Sequence, residues 1–204
     1  MVVNPVNGVL KVRRGQSNFA ESKQNRTTGI MKKIALLLTL SVIVIMAKAQ
    51  GTKSSELAKH ISEIEDRIAI KNVVDTFSVL ADHKDIQKQA LLFTENGVVE
   101  SRVNGQPGAA LTGRKQIGDA FSSFLALFET VYHINGQQTL TLNGDKAMGI
   151  SYCSVTLIGT ENGKKMKTTM GVYYNDEFVR QNGKWLIAKR TSNFAWQDKQ
   201  PLGQ

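Results

Sequence analysis

Residues 139–196 read TLTLNGDKAMGISYCSVTLIGTENGKKMKTTMGVYYNDEFVRQNGKWLIAKRTSNFAW. Three Asn-Gly pairs, Asn143-Gly144, Asn162-Gly163 and Asn182-Gly183, punctuate runs rich in β-branched and aromatic residues. Asn-Gly between such runs marks a hairpin, because both residues tolerate the positive φ that a tight turn demands. The runs Thr139–Leu142, Lys146–Gly159, Lys167–Arg180 and Lys184–Trp196 therefore predict a four-stranded antiparallel meander. Strands this long must twist and coil, and a coiled sheet covered on one face by helices encloses a cone with an open mouth.

Upstream of the meander the hydrophobic period is helical. Leu57, Ile61, Ile64, Ile68, Val73, Val74, Phe77 and Leu80 recur every three to four residues, predicting a helix from about Ser55 to Leu80 with this face buried. A second, short helix is expected near Ile86–Phe93, with Asp85 as its N-cap and Asn96-Gly97 as its stop. Val98-Val99 opens a strand, and Asn104-Gly105 turns the chain. Thr112 and Gly113 introduce a third helix carrying Ile117, Phe121, Phe124, Leu125 and Phe128. The fold class is thus α+β: a cone-like barrel of strongly curved, mainly antiparallel sheet, covered by three helices from the N-terminal half. The first residues after the export signal and the tail Asp198–Gln204 are expected to be disordered.

That export signal is residues 31–49, MKKIALLLTLSVIVIMAKA. Lys32 and Lys33 precede an apolar run from Ile34 to Met46, which ends on Ala47-Lys48-Ala49, a small-x-small cleavage pattern. The run is too short to span a bilayer, so residues 50–204 are expected as one exported domain, periplasmic or secreted, with no stable membrane anchor after signal removal. Met31 then reads as the start, and residues 1–30 as a non-native or disordered upstream extension. The alternative is a genuine extension with an anchor helix. The formal charge of +9 sits mostly in these leading segments: +4 in residues 1–30 and +3 in residues 31–49, leaving +2. A near-neutral domain gives no electrostatic footprint for nucleic acid. Cys153 is the one cysteine, so no intrachain disulfide forms, and its apolar surroundings read as core. No metal-ligand cluster, nucleotide-binding glycine loop or nucleophile elbow is written in the sequence, so neither metal nor cofactor is expected.

The residues with chemical potential are few. Asp82 stands at the end of the first helix, either as a turn aspartate bonded to its own backbone or as a desolvated general base. His133 lies on an apolar strand, either structural or a proton partner near neutral pH. Tyr152, Tyr173 and Tyr174 are candidate hydroxyl donors to a substrate. Strand alternation puts Tyr173 and Tyr174 on opposite faces, and Tyr174 shares its face with Met170, Val172 and Phe178. Tyr152 and Tyr174 are accordingly the substrate-binding candidates. His60 and His83 read as exposed. Trp185 and Trp196 read as packing on the first helix, and Arg114 as paired with an earlier carboxylate.

Four stretches carry a resemblance: LADHKDIQKQALLFTENG (80–97), LTGRKQIGDAF (111–121), VYHINGQ (131–137) and GVYYNDEFVRQNGKWLIAKRTSNFAW (171–196). Their order and spacing resemble the SnoaL-like branch of the nuclear transport factor 2-like superfamily, which includes scytalone dehydratase and the ketosteroid isomerases. The resemblance implies a pocket used for dehydration, isomerisation, aldol cyclisation or plain ligand binding, and a homodimer formed through the sheet. It matches Asp82 to a pocket carboxylate and His133 to one of the two catalytic histidines of scytalone dehydratase. It also implies departures: that enzyme's second histidine falls at Leu157, its tyrosine at Ala81, and its serine and asparagine near Val172 and Tyr174. The expectation is a cofactor-independent lyase or isomerase acting on a small apolar carbonyl or hydroxyl compound through an Asp82–His133 pair. The alternative is a carrier that binds the same small-molecule ligand without turnover.

Overall fold

The computed structural model describes Met1 and residues 17–203, with backbone alone at 17–25, 27, 42–45, 47 and 49. The first part of the expected upstream extension, residues 2–16, lies outside the described residues. The chain divides into two units, Met1–Lys59 and His60–Gln204. One helix, α1 (Ser17–Asp82), begins in the first unit and ends in the second. It starts earlier than the expected Ser55 because the intervening sequence is rich in Leu, Ala, Met and Lys, and isolated Gly29 and Gly51 do not break it. Among the described residues no helix is long and apolar enough to cross a membrane.

The second unit is an α+β body. After the last turns of α1 come α2 (Ile86–Ala90), β1 (Phe93–Val103), β2 (Gln106–Thr112), α3 (Arg114–Leu125), β3 (Thr130–Asn143), β4 (Lys146–Glu161), β5 (Lys164–Gln181) and β6 (Lys184–Pro201). The strands form one six-stranded sheet in the order β2-β1-β6-β5-β4-β3. The meander β3 to β6 is antiparallel throughout, as the turn residues predicted. The β1–β6 pair is parallel, which makes the sheet mixed, and its ends do not close into a barrel. Asn162, Gly163, Asn182 and Gly183 all adopt φ between 49° and 76°, as a two-residue hairpin turn requires.

Several boundaries differ from expectation for physical reasons. α2 ends at Ala90, and Asn96-Gly97 lies inside β1, where the register against β6 shifts between Phe93 and Val98. A Cβ at Gly97 would sit 3.0 Å from that of Phe93, so glycine permits the bend there. The tail is not loose: β6 pairs with β5 as far as Pro201, and Lys199 bridges to Glu161. Leu57, Ile61, Ile64 and Ile68 are exposed, whereas Ile70, Val74, Phe77 and Ala81 are buried. Both sets keep helical spacing, but they lie on opposite faces of α1, and only the second meets the sheet.

The core has two parts. Ile70, Val74 and Phe77 of α1 pack with Phe93, Phe178 and Ile187. In the second, Ala81 and Leu125 pack with Val131, Val155, Met170 and Tyr174. Trp185 is buried and donates its indole N–H to Asp66 of α1, as expected.

Candidate functional site

Asp82 is the last residue of α1, where the helix meets the start of β3. Its carboxylate receives two groups from one residue. The His133 ring Nδ1 lies 2.6 Å from Oδ1, and the His133 backbone N–H donates to Oδ2 at 3.2 Å. An ionised carboxylate only accepts, so Nδ1 carries the proton and Nε2 is left with its lone pair. The His133 side chain is 8% exposed and that of Asp82 19%. Burial, and secondarily the charge of Arg190, hold the His133 imidazole below its usual pKa; the hydrogen bond and charge of Asp82 act the other way. The net shift favours the neutral ring, the form a general base requires.

His133 lines a cavity of about 370 Å³ together with Ala81, Gln89, Ser192 and Tyr174. Its walls are aromatic, from Phe77, Phe121, Phe124 and Phe194. Phe77 meets Phe121 and Tyr174 edge-on, with ring centroids 5.8 and 6.2 Å apart. Tyr174 is buried, as its face on β5 predicted, and burial pushes its phenol upward, so the hydroxyl stays protonated and can donate. The Cys153 thiol beside it is pushed up to about 11, chiefly by burial, and is inert core.

The structure thus brings Asp82, His133 and Tyr174 together and leaves Tyr152 apart. Tyr152 points to the outer face of the sheet, 53% exposed, with its ring 5.8 Å from that of Tyr173. Trp196 also departs from expectation: it is exposed on that outer face and lies over Gly171. The register shift between Gly171 and Val172 leaves Ala195 as an extra residue and turns Trp196 away from Phe194. Arg114 pairs with the Phe93 carbonyl through Nε and Nη2, at 2.9 and 2.7 Å, and not with a carboxylate. Asp85 caps α2, accepting from the Lys88 N–H. His60 and His83 are exposed, as read.

Sequence reasoning missed a buried ion pair behind the cavity wall. Arg190 donates from Nε and Nη2 to both oxygens of Asp176, at 2.8 and 2.7 Å, with both side chains fully buried. The signal for Asp176 was present, since it alternates with Tyr174 and Phe178 on the inward face of β5. Arg190 was hidden by a bulge: the register shift opposite Glu177 and Phe178 changes the parity of β6 between Ile187 and Arg190.

Comparison with known proteins places this chain in a family. Uncharacterized proteins of Mycobacterium tuberculosis (strain ATCC 25618 / H37Rv) and Mycobacterium bovis are 24% identical over 138 residues, covering 67% of this chain and 90% of theirs. A candidate scytalone dehydratase from Novosphingobium aromaticivorans DSM 12444 superposes with a TM-score of 0.58 at 18% identity, covering 70% of this chain and 96% of its own. A hexachlorocyclohexane dehydrochlorinase superposes with a TM-score of 0.57 at 17% identity, covering 69% and 91%. At such identities these structures show the shared fold. The SnoaL-like domain model matches residues 62–191, most of the α+β body and all of the residues around the cavity except Ser192 and Phe194, and the chain belongs to the SnoaL-like domain family.

Proposed function

We propose that the cavity is the active site of a cofactor-independent lyase or isomerase for a small, largely apolar carbonyl or hydroxyl compound. The observation that carries this reading is a buried histidine oriented by a carboxylate inside an aromatic cavity. Asp82 holds the Nδ1 proton and stabilises the imidazolium that forms when Nε2 takes a proton from carbon. Tyr174 supplies a hydroxyl to the oxygen on which negative charge develops. The names of two structural neighbours, a dehydrochlorinase and a dehydratase, support chemistry of this class.

The test is hydrogen–deuterium exchange at the carbon next to the carbonyl of 2-tetralone in D2O, followed by NMR. Wild type is expected to accelerate exchange, and Asp82→Asn and His133→Ala each to lose at least about 100-fold of it while keeping the fold. The carrier reading is favoured by Leu157 and Val172, apolar where the resemblance implies a second histidine and a serine. No exchange by wild type, with an unmodified ligand recovered from the purified protein, would establish that reading instead.

We further infer an exported homodimer. Residues 31–49 have the three parts of a signal, and the outer sheet face exposes Tyr132, Ile134, Tyr152 and Trp196. Mass spectrometry of exported protein is expected to find Gln50 as the first residue. A retained residue 31–49 segment contradicts the export reading.

A further inference from the structure

Taking the cavity as the active site proposed above, we propose that the Asp176–Arg190 pair is a positioning element of that site. Its guanidinium fixes two cavity walls and sets a permanent positive charge behind the base. The geometry is specific. The Arg190 guanidinium carbon sits in the corner made by two rings that line the cavity, 4.2 Å from the centroid of Phe77 and 4.1 Å from that of Tyr174. Asp176 grips it by two hydrogen bonds, which fix the position of the cation that the faces of both rings meet.

A stability role alone accounts poorly for this arrangement. Burying two full charges carries a large desolvation penalty, and apolar residues of similar volume commonly serve a core as well or better. Here the cost is greater still, because Arg190 Nη1 is buried and finds no acceptor among the described residues. What an apolar pair could not supply is charge. The charged groups that act on His133 are Asp82 from α1 and Arg190 from β6; Arg190 in turn faces Asp176 and Tyr174 of β5 and Cys153 of β4. Arg190 is the cation that acts on the imidazole, opposing its protonation, while Asp82 favours it. Asp82 thus orients the ring, while burial first and the charge of Arg190 with it oppose the tendency of that same carboxylate to charge it. Together they keep a well-held histidine available as a base.

The experiment is an NMR pH titration of His133 in the full chain, on wild type, Arg190→Lys, Arg190→Met and the double variant Asp176→Leu/Arg190→Met. Arg190→Met is expected to move the His133 midpoint to higher pH, and Arg190→Lys to leave it near wild type. The double variant avoids an unpaired buried carboxylate, and it is expected to show the same upward move. The acid limb of 2-tetralone exchange should follow, so that the rate at pH 6 falls relative to that at pH 8. A folded charge-free variant with the wild-type midpoint overturns the proposal. So does failure of both charge-free variants to fold, which would make the pair a structural tie. The parent reading fails separately: if Asp82→Asn also leaves His133 unmoved, there is no coupled base, whereas a response to Asp82 but not to Arg190 removes this inference alone.

Discussion

Asp82 accepts from both the ring and the backbone of His133, so a single carboxylate fixes the position of the strand and the tautomer of the imidazole. This coupling carries a pH signature. The folded chain holds His133 below its ordinary value of 6.5, whereas the unfolded chain does not. Below that value the unfolded state takes up a proton that the folded state resists, so stability is full above it and is lost as pH falls through the folded midpoint. Thermal melts between neutral pH and about pH 5 are expected to show a steeper loss for wild type than for His133→Gln. Equal slopes would mean that His133 is not perturbed. Tyr174→Phe is expected to weaken 2-tetralone binding while preserving the fold, and Tyr152→Ala to leave binding unchanged, since only Tyr174 lines the cavity. At this scale the sequence was partly legible. The inward face of Tyr174 followed from alternation, whereas Asp82 and His133 were singled out by the resemblance, their positions alone leaving a structural role open. Tyr152 was misplaced although the core reading of its neighbour Cys153 puts it, by strand alternation, on the opposite face of β4. Gln89 and Ser192, also in the cavity wall, carry no motif that a single sequence exposes.

At the scale of elements, turns were read well and bulges were not. The Asn-Gly pairs located the hairpins because their dihedral demands are local. A bulge depends on the partner strand, and it reverses which residues face inward. This is why Arg190 and Trp196 escaped the reading while Asp176, on a regular part of β5, could have been found. The exposed stripe Leu57–Ile68 shows the same limit for helices: periodicity identifies an apolar face without saying whether anything covers it. The bulge at Ala195 makes a direct prediction. Trp196 lies across Gly171 so closely that a Cβ there would run into the indole. Gly171→Ala is expected to cost about 1–3 kcal/mol in denaturant unfolding. Adding Trp196→Ala should recover most of that loss, a coupling that a double-mutant cycle reads directly. Additive losses would mean the indole does not lie there.

For the whole molecule, composition and patterning supplied the class: one α+β body with long coiled strands and a concave apolar interior. They did not supply the mixed character of the sheet, because the β1–β6 pairing joins residues about 90 positions apart and leaves no local mark. The same body leaves aromatic side chains on its outer face. The homodimer reading predicts that light scattering after gel filtration gives twice the chain mass, and that Trp196→Glu reduces it to one chain. A wild-type monomer would remove that reading without touching the cavity.

The central claim is that Asp82 and His133 form one coupled acid–base unit inside the cavity. The most direct test is the NMR titration of His133 in the full chain, wild type against Asp82→Asn. The account predicts a wild-type midpoint below the usual histidine range, moving lower still when the carboxylate that favours the imidazolium is removed. A His133 that titrates in the ordinary range, or that does not respond to the loss of Asp82, would contradict it.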